Sequence, residues 1–279
     1  MLANYITYFK TLPPLLLLLL FSLVIDHPTL SAQTATFVST TAANEIPKSL
    51  ERKFRRDAAR LALRLEAEQE DLRYLNIDIT PANVEMMYSI LTTIYVENET
   101  AKAIAKCNVH TFPNPSIEQF VIIYERDIEW AAPLLDGINE TDSDEFNDLL
   151  DEYELIIDKH VPWDDTQDAI TIRSKGPLNM AALANEFYNI EGVEEIDLGI
   201  PKAAGNDIVF TRLPDTWEIQ YILRFGSFSG NGGKEHIWTF QAKDDGIVQF
   251  IEETGEPIPS WMRCSVEKEA TLFVTATDR

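Results

Sequence analysis

Apolar and polar positions are patterned most sharply between residues 169 and 199. Ile170 and Ile172 alternate with Thr171 and Arg173, the period of a half-buried strand. Gly176-Pro177 stops that run. Asn179, or Pro177 ahead of it, opens a helix whose apolar face is Met180, Leu183, Ala184 and Phe187. Gly192 suits a left-handed C-cap, and Val193, Ile196 and Leu198 carry a second strand. Such a short connection predicts a right-handed crossover to a parallel neighbour.

The flanking pattern is helical on one side and strand-like on the other. Leu50, Phe54, Ala58, Leu61, Leu65, Leu72 and Leu75 keep one stripe, predicting a long helix over 48–75. Thr80-Pro81 opens a second helix with Val84, Met87, Tyr88, Leu91, Ile94 and Tyr95 on its buried face. Strand-like runs follow at 106–112 and 119–124, then short helices near 127–135 and 144–153, and a strand or helix end at 154–161. Beyond 199, a short run at 208–212 precedes the alternation of Trp217, Ile219, Tyr221, Leu223 and Phe225. His236, Trp238 and Phe240 alternate again, and Asp245-Gly246 turns the chain into 247–251. The expected fold is α+β: N-terminal helices, a β-α-β unit and a C-terminal antiparallel meander. A last strand is expected at 270–275 within a weakly patterned tail, 264–279.

Export is expected from the first residues. Leu15 to Ile25 is apolar except for Ser22, too short for a span of about 20 residues but right for the apolar core of a signal peptide. Cleavage is placed after Ala32, with an uncleaved anchor as the alternative; 33–46 reads as a tether and 47–263 as one domain with a sub-boundary near 160–168. Cys107 and Cys264 are candidates to pair in an exported protein.

Charge changes the picture of the first helix. The chain holds 46 acidic and 23 basic residues, a net charge of −23. That balance argues against nucleic acid, which demands a basic footprint. Yet Arg52, Arg56, Arg60 and Arg64 recur every four residues on one helix face. Like charges at that spacing repel by roughly 0.2–0.5 kcal/mol per pair. The ridge therefore either faces the chain's own carboxylates or serves as a docking strip for an anionic lipid, glycan or protein partner.

The segments "DAARLALRL", "VHTFPNPS", "PLNMAALANEFYNIEGV" and "GNDI", in that order, resemble a group of uncharacterised exported proteins of Gram-negative bacteria. The resemblance runs from about residue 58 to 250 and implies architecture and location but no activity. Members tend to carry cysteines around the last hairpin; here that turn is "GSFSGNGGKEH", without them. The central unit is also similar to half a ferredoxin-like fold, as in protease propeptides and metal-handling domains, although the CxxC of the latter is missing.

Chemistry is sparse. Asp142, Asp144, Glu145, Asp148 and Asp151 fail the calcium-loop pattern, since Phe146 and Asn147 occupy the fifth and sixth positions; they suit a helix N-terminus instead. Asp164, Asp165 and Asp168 in "WDDTQD" are the better candidates for a cation. "GSFSG" places Phe228 where a nucleophilic serine would stand. No phosphate-binding glycine loop is present, and no cofactor is expected. His110 and His236 are the weak candidates for general-base work. The reading is of a binding protein of the cell envelope or exterior, with a protein or glycan partner and no membrane span after cleavage. The alternatives are a hydrolase whose site is assembled from distant residues and a protease-inhibitor or propeptide-like module built on 169–199.

Overall fold

A computed structural model of the chain describes residues 46–68, 75–226 and 233–262. Three helices come first: α1 (Lys48–Ala67), α2 (Pro81–Glu97) and α3 (Glu99–Lys106). Pro81 occupies the first turn of α2, where its missing N–H costs nothing. The Thr80 side chain makes no cap; its N–H donates to Glu66 Oε1 at 3.1 Å, fastening α2 to the end of α1. Helix α1 ends at Ala67 and Leu75 lies in a bend, so the expected helix to 75 is too long; Leu72 lies outside the described residues.

The central sheet contains β1 (Gln119–Glu125), β2 (Leu155–Pro162), β3 (Gln167–Ser174) and β4 (Val193–Asp197) in the order β2-β3-β1-β4. A 3-10 turn (Glu129–Ala131), α4 (Ala132–Leu135) and α5 (Asp144–Glu152) lie between β1 and β2, and α6 (Met180–Phe187) between β3 and β4. All neighbours are antiparallel. Strands β3 and β4 both run against β1, so they are parallel to each other as the crossover demands. They are not neighbours, however, because β1 is inserted between them. The expected adjacent pair is thus a split β-α-β unit, and the whole sheet has the β-α-β-β-α-β connectivity of which sequence suggested half. Residues 160–168, read as a sub-boundary, span the β2–β3 hairpin.

Its main core lies on one face, although Ile123 and Ala169 on the other are also buried. Phe120, Ile122 and Tyr124 of β1 join Ile170 and Ile172 of β3 under Phe146, Leu183 and Phe187 of the covering helices. Asn179 rather than Pro177 starts α6, since its side chain accepts the Ala182 N–H at 3.3 Å. Ser143 caps α5 in the same way, leaving the acids Asp144 and Glu145 in a first turn that favours them. Gly192 takes φ +83°, but four residues after α6 has closed, in the turn into β4; a Cβ there would meet Ile128 at 2.8 Å.

The second sheet is the expected meander: β5 (Asp207–Arg212), β6 (Thr216–Gly226), β7 (Gly233–Lys243) and β8 (Val248–Gly255), in sequential order. Its alternating residues Trp217, Ile219, Tyr221, Leu223, Trp238 and Phe240 are buried. Helix α1 touches β5, and α2 touches β8. Among the described residues, no helix is long and apolar enough to cross a membrane. The signal-like segment, the tail and its strand at 270–275, and Cys264 lie outside the described residues. Cys107 Sγ lies 3.7 Å from the Ala103 carbonyl.

One expected strand is absent. Residues 107–112 have no ladder, because side chains from distant elements satisfy their backbone instead. Asp57 accepts the Thr111 N–H at 2.9 Å, and Asp207 accepts the Phe112 N–H at 2.7 Å. Arg64 donates to the Phe112 and Asn114 carbonyls at 2.8 and 2.9 Å, and Arg60 to the Pro115 carbonyl at 3.0 Å. A segment bonded this way runs as an ordered loop along α1 with no need of a neighbouring strand.

Candidate functional site

Four arginines that look equivalent in sequence have two different environments. Arg60 is buried: it donates to the Pro115 carbonyl and, at 2.7 Å, to Thr111 Oγ1. Burial lowers its pKa from the ordinary guanidinium value, an effect opposed by the nearby Asp57. Arg64 reaches the other way, to Asp207 Oδ1 and the Ile208 carbonyl, both at 3.0 Å, tying α1 to the start of β5. These two serve the chain itself, through backbone carbonyls more than through carboxylates. Arg56 meets Glu118 at 3.5 Å with both side chains about half exposed, and among the described residues no ion pair holds Arg52.

The N-terminal half of α1 therefore opens onto solvent as one wall of a groove of about 760 Å³. Arg52, Lys53, Arg55 and Arg56 come from α1, Val84 from the first turn of α2, Glu118 from the entry to β1, and Lys175 and Pro177 from the β3–α6 turn. Five cations and one carboxylate line it; Glu51 and Glu85 beside Arg55 and Glu154 beside Lys175 offset part of that charge, whereas Arg52 and Lys53 have no carboxylate paired to them among the described residues. A second hollow of about 430 Å³ shares Glu118, Lys175 and Pro177 and adds Arg173. Within a Debye length of about 8–10 Å local charge governs what approaches, and among the described residues the charge left unpaired here is that of Arg52 and Lys53. Arg55 is already engaged: its guanidinium lies 3.0 Å from Glu85 Oε1, 3.6 Å from Glu51 Oε1 and 4.1 Å from the Tyr88 ring centroid. Sequence periodicity singled out Arg52 and Arg56. It missed Lys53 and Arg55 on the same helix, and Lys175, whose signal was only its place in the turn before α6.

The aspartate loop has another occupant. Arg126 Nε donates to Asp168 Oδ1 at 2.9 Å, and its terminal nitrogens donate to the carbonyls of Asp165, Asp164 and Gln167 at 2.9, 2.6 and 3.0 Å. Asp164 accepts the N–H groups of Thr166 and Gln167, both at 2.8 Å. The Thr166 amide in particular holds that carboxyl below the usual range. Buried Asp168 also meets His160 Nε2 at 3.2 Å. The chain thus places its own guanidinium where a cation would sit, and among the described residues no three His, Cys, Asp or Glu side chains gather as a metal site. Arg126→Gln is expected to remove these bonds and lower stability by about 2 kcal/mol, read as a fall in melting temperature.

The two histidines stand in different settings. His110 Nδ1 lies 2.7 Å from Asp57 Oδ2, and its buried Nε2 has no hydrogen-bond partner among the described residues. His236 Nδ1 bonds the Glu256 carbonyl at 2.8 Å; its Nε2 is 2.9 Å from Glu253 Oε1 but outside hydrogen-bonding geometry. His110 thus has the carboxylate partner that a general base uses, but among the described residues no hydroxyl or thiol bonds its Nε2 or that of His236. Among the described residues the buried Tyr124 hydroxyl likewise has no hydrogen-bond partner, and burial, reinforced by Asp168, pushes its pKa up.

No protein-family model, no curated protein and no solved structure matches this chain.

Proposed function

We propose that this is an exported protein that acts by binding, and that its binding surface is the cationic groove between α1 and the β3–α6 turn. The reading rests on one observation: in a strongly acidic chain, Arg52 and Lys53 stand in one concavity with no carboxylate paired to them among the described residues. Export is carried by the signal-like run at 15–25 and by the resemblance to exported proteins of Gram-negative bacteria. The partner is an anionic group of the cell envelope or exterior. Arg52 and Arg56, both exposed, present their charge to it, whereas Arg60 and Arg64 hold the helix that carries them.

The test is retention of the full chain on a resin bearing short, separately tethered sulfate or phosphate groups, across a salt gradient. The wild type should be retained at low salt and released as salt screens the groove. The double variant Arg52→Glu/Arg56→Glu should pass through unretained with an unchanged circular-dichroism spectrum. Equal retention of the two proteins would remove the groove from the function.

A further inference from the structure

We infer, building on the anion-binding reading, that the groove takes a phosphate ester carried on a short apolar body. That chemistry is shared by the head of an anionic phospholipid and a small soluble phosphomonoester.

Three features point there. The first is donor number. A single guanidinium fork satisfies a carboxylate in bidentate fashion, whereas a phosphate monoester offers more oxygens and up to two charges. The groove supplies several donors that a ligand can recruit. Arg52 has no ion pair among the described residues. Lys53 donates at 2.6 Å to the neutral amide oxygen of Asn108, so its charge stays uncompensated. Lys175 pairs with Glu154 at 3.2 Å while both remain about two-thirds exposed. Exposed pairs like this and Arg56–Glu118 contribute about 0–1 kcal/mol, so a dianion can displace them.

The second feature is the apolar lining. Val84 and Pro177 line the groove among the methylene stems of the arginines and lysines. A bare inorganic ion would leave that surface unused; an ester with a few methylenes covers it. The third is extent. A volume of about 760 Å³ suits a head group or other small molecule. An extended anionic polymer would leave the groove within a Debye length of about 8–10 Å and run onto a chain with 46 acidic residues. A compact ligand avoids that repulsion.

The experiment measures binding of the full chain to three probes. These are phosphatidylcholine vesicles containing phosphatidic acid, the same vesicles containing oleate at matched surface charge, and soluble glycerol 3-phosphate followed by calorimetry. The phosphatidic acid vesicles are expected to bind best. Arg52→Gln and, on the opposite wall, Lys175→Gln should each weaken binding by about tenfold, the scale of one charge-assisted hydrogen bond. Arg212→Gln, whose arginine pairs with Asp244 on the second sheet at 2.8 Å, serves as the control and should bind like wild type. Binding of glycerol 3-phosphate with the same sensitivity makes the soluble ester a sufficient ligand; binding of the vesicles alone assigns the lipid. Equal binding of oleate and phosphatidic acid vesicles overturns the phosphate assignment while leaving an anion groove in place. So does retention on a sulfated resin with no binding to either phosphate probe. Failure on every anionic surface, resin included, removes the groove and this inference together.

Discussion

Asp57→Ala is expected to lower the unfolding free energy by about 3–5 kcal/mol, the scale seen when one member of a buried charged network is removed. The Asp57 side chain is about 1 % exposed. It accepts from the Thr111 N–H at 2.9 Å and the Thr111 hydroxyl at 2.7 Å, and meets His110 Nδ1 at 2.7 Å. The Thr111 hydroxyl in turn accepts from the buried Arg60 guanidinium at 2.7 Å. Alanine therefore leaves a buried amide and an imidazole nitrogen without partners and strips Arg60 of its nearest opposing charge. Because these groups hold residues 110–115 along α1, the loss is not local. Asp57→Asn keeps the volume and one acceptor oxygen and should cost less, about 1–2 kcal/mol. Urea titrations of the three proteins, compared at constant slope, read the difference. A midpoint shift equivalent to less than 1 kcal/mol for Asp57→Ala would show that the network does not hold the loop.

This network marks the limit of what sequence could reveal. Periodicity located the meander because hairpins are local: Asp245-Gly246 and the alternation on either side of it determine the β7–β8 pairing within a dozen residues. The cap at Asn179 and the burial of Leu183 and Phe187 were legible for the same reason. The pattern of 106–112 predicts a strand, but Lys106 closes α3 and the amides of Thr111 and Phe112 are satisfied by Asp57 and Asp207, 54 and 95 positions away. Nothing in the local pattern distinguishes a ladder from a set of side-chain acceptors. The insertion of β1 between β3 and β4 was hidden likewise, since the parallel relation of β3 and β4 follows from a short crossover whether or not another strand lies between them.

The arginine ridge carries the same lesson into the candidate site. Spacing places Arg52, Arg56, Arg60 and Arg64 on one face, but what each does depends on what packs opposite. The loop at 111–115 and the start of β5 cover the C-terminal pair; the N-terminal pair opens onto the groove, where Glu118 meets Arg56 and the β3–α6 turn adds Lys175. At Asp164, Asp165 and Asp168 the cation-like environment was visible in sequence, while Arg126, which fills it, comes from the end of β1 about forty residues earlier.

The groove's second wall, Lys175 and Pro177, lies just before α6, and Phe187 anchors that helix in the core. It is fully buried, with its ring centroid 5.5 Å from that of Phe120 on β1 and 4.9 Å from that of Phe146 on α5, both in edge-on arrangements. One ring thus joins the sheet to helices from both crossovers. Phe187→Ala is expected to cost about 3–5 kcal/mol, combining lost burial with a cavity that rigid neighbours cannot fill. Phe187→Leu retains most of the volume and should cost less than about 1.5 kcal/mol. The two variants separate stability from binding. Lys175 and Pro177 lie before α6 and are not touched by the substitution, so the folded fraction of Phe187→Ala should retain wild-type affinity for phosphatidic acid vesicles while its denaturation midpoint falls. Lost affinity in a protein still folded by near-ultraviolet circular dichroism would instead mean that the core position of α6 and the groove are mechanically coupled. A midpoint unchanged within 1 kcal/mol would show that the ring does not join the sheet to its helices.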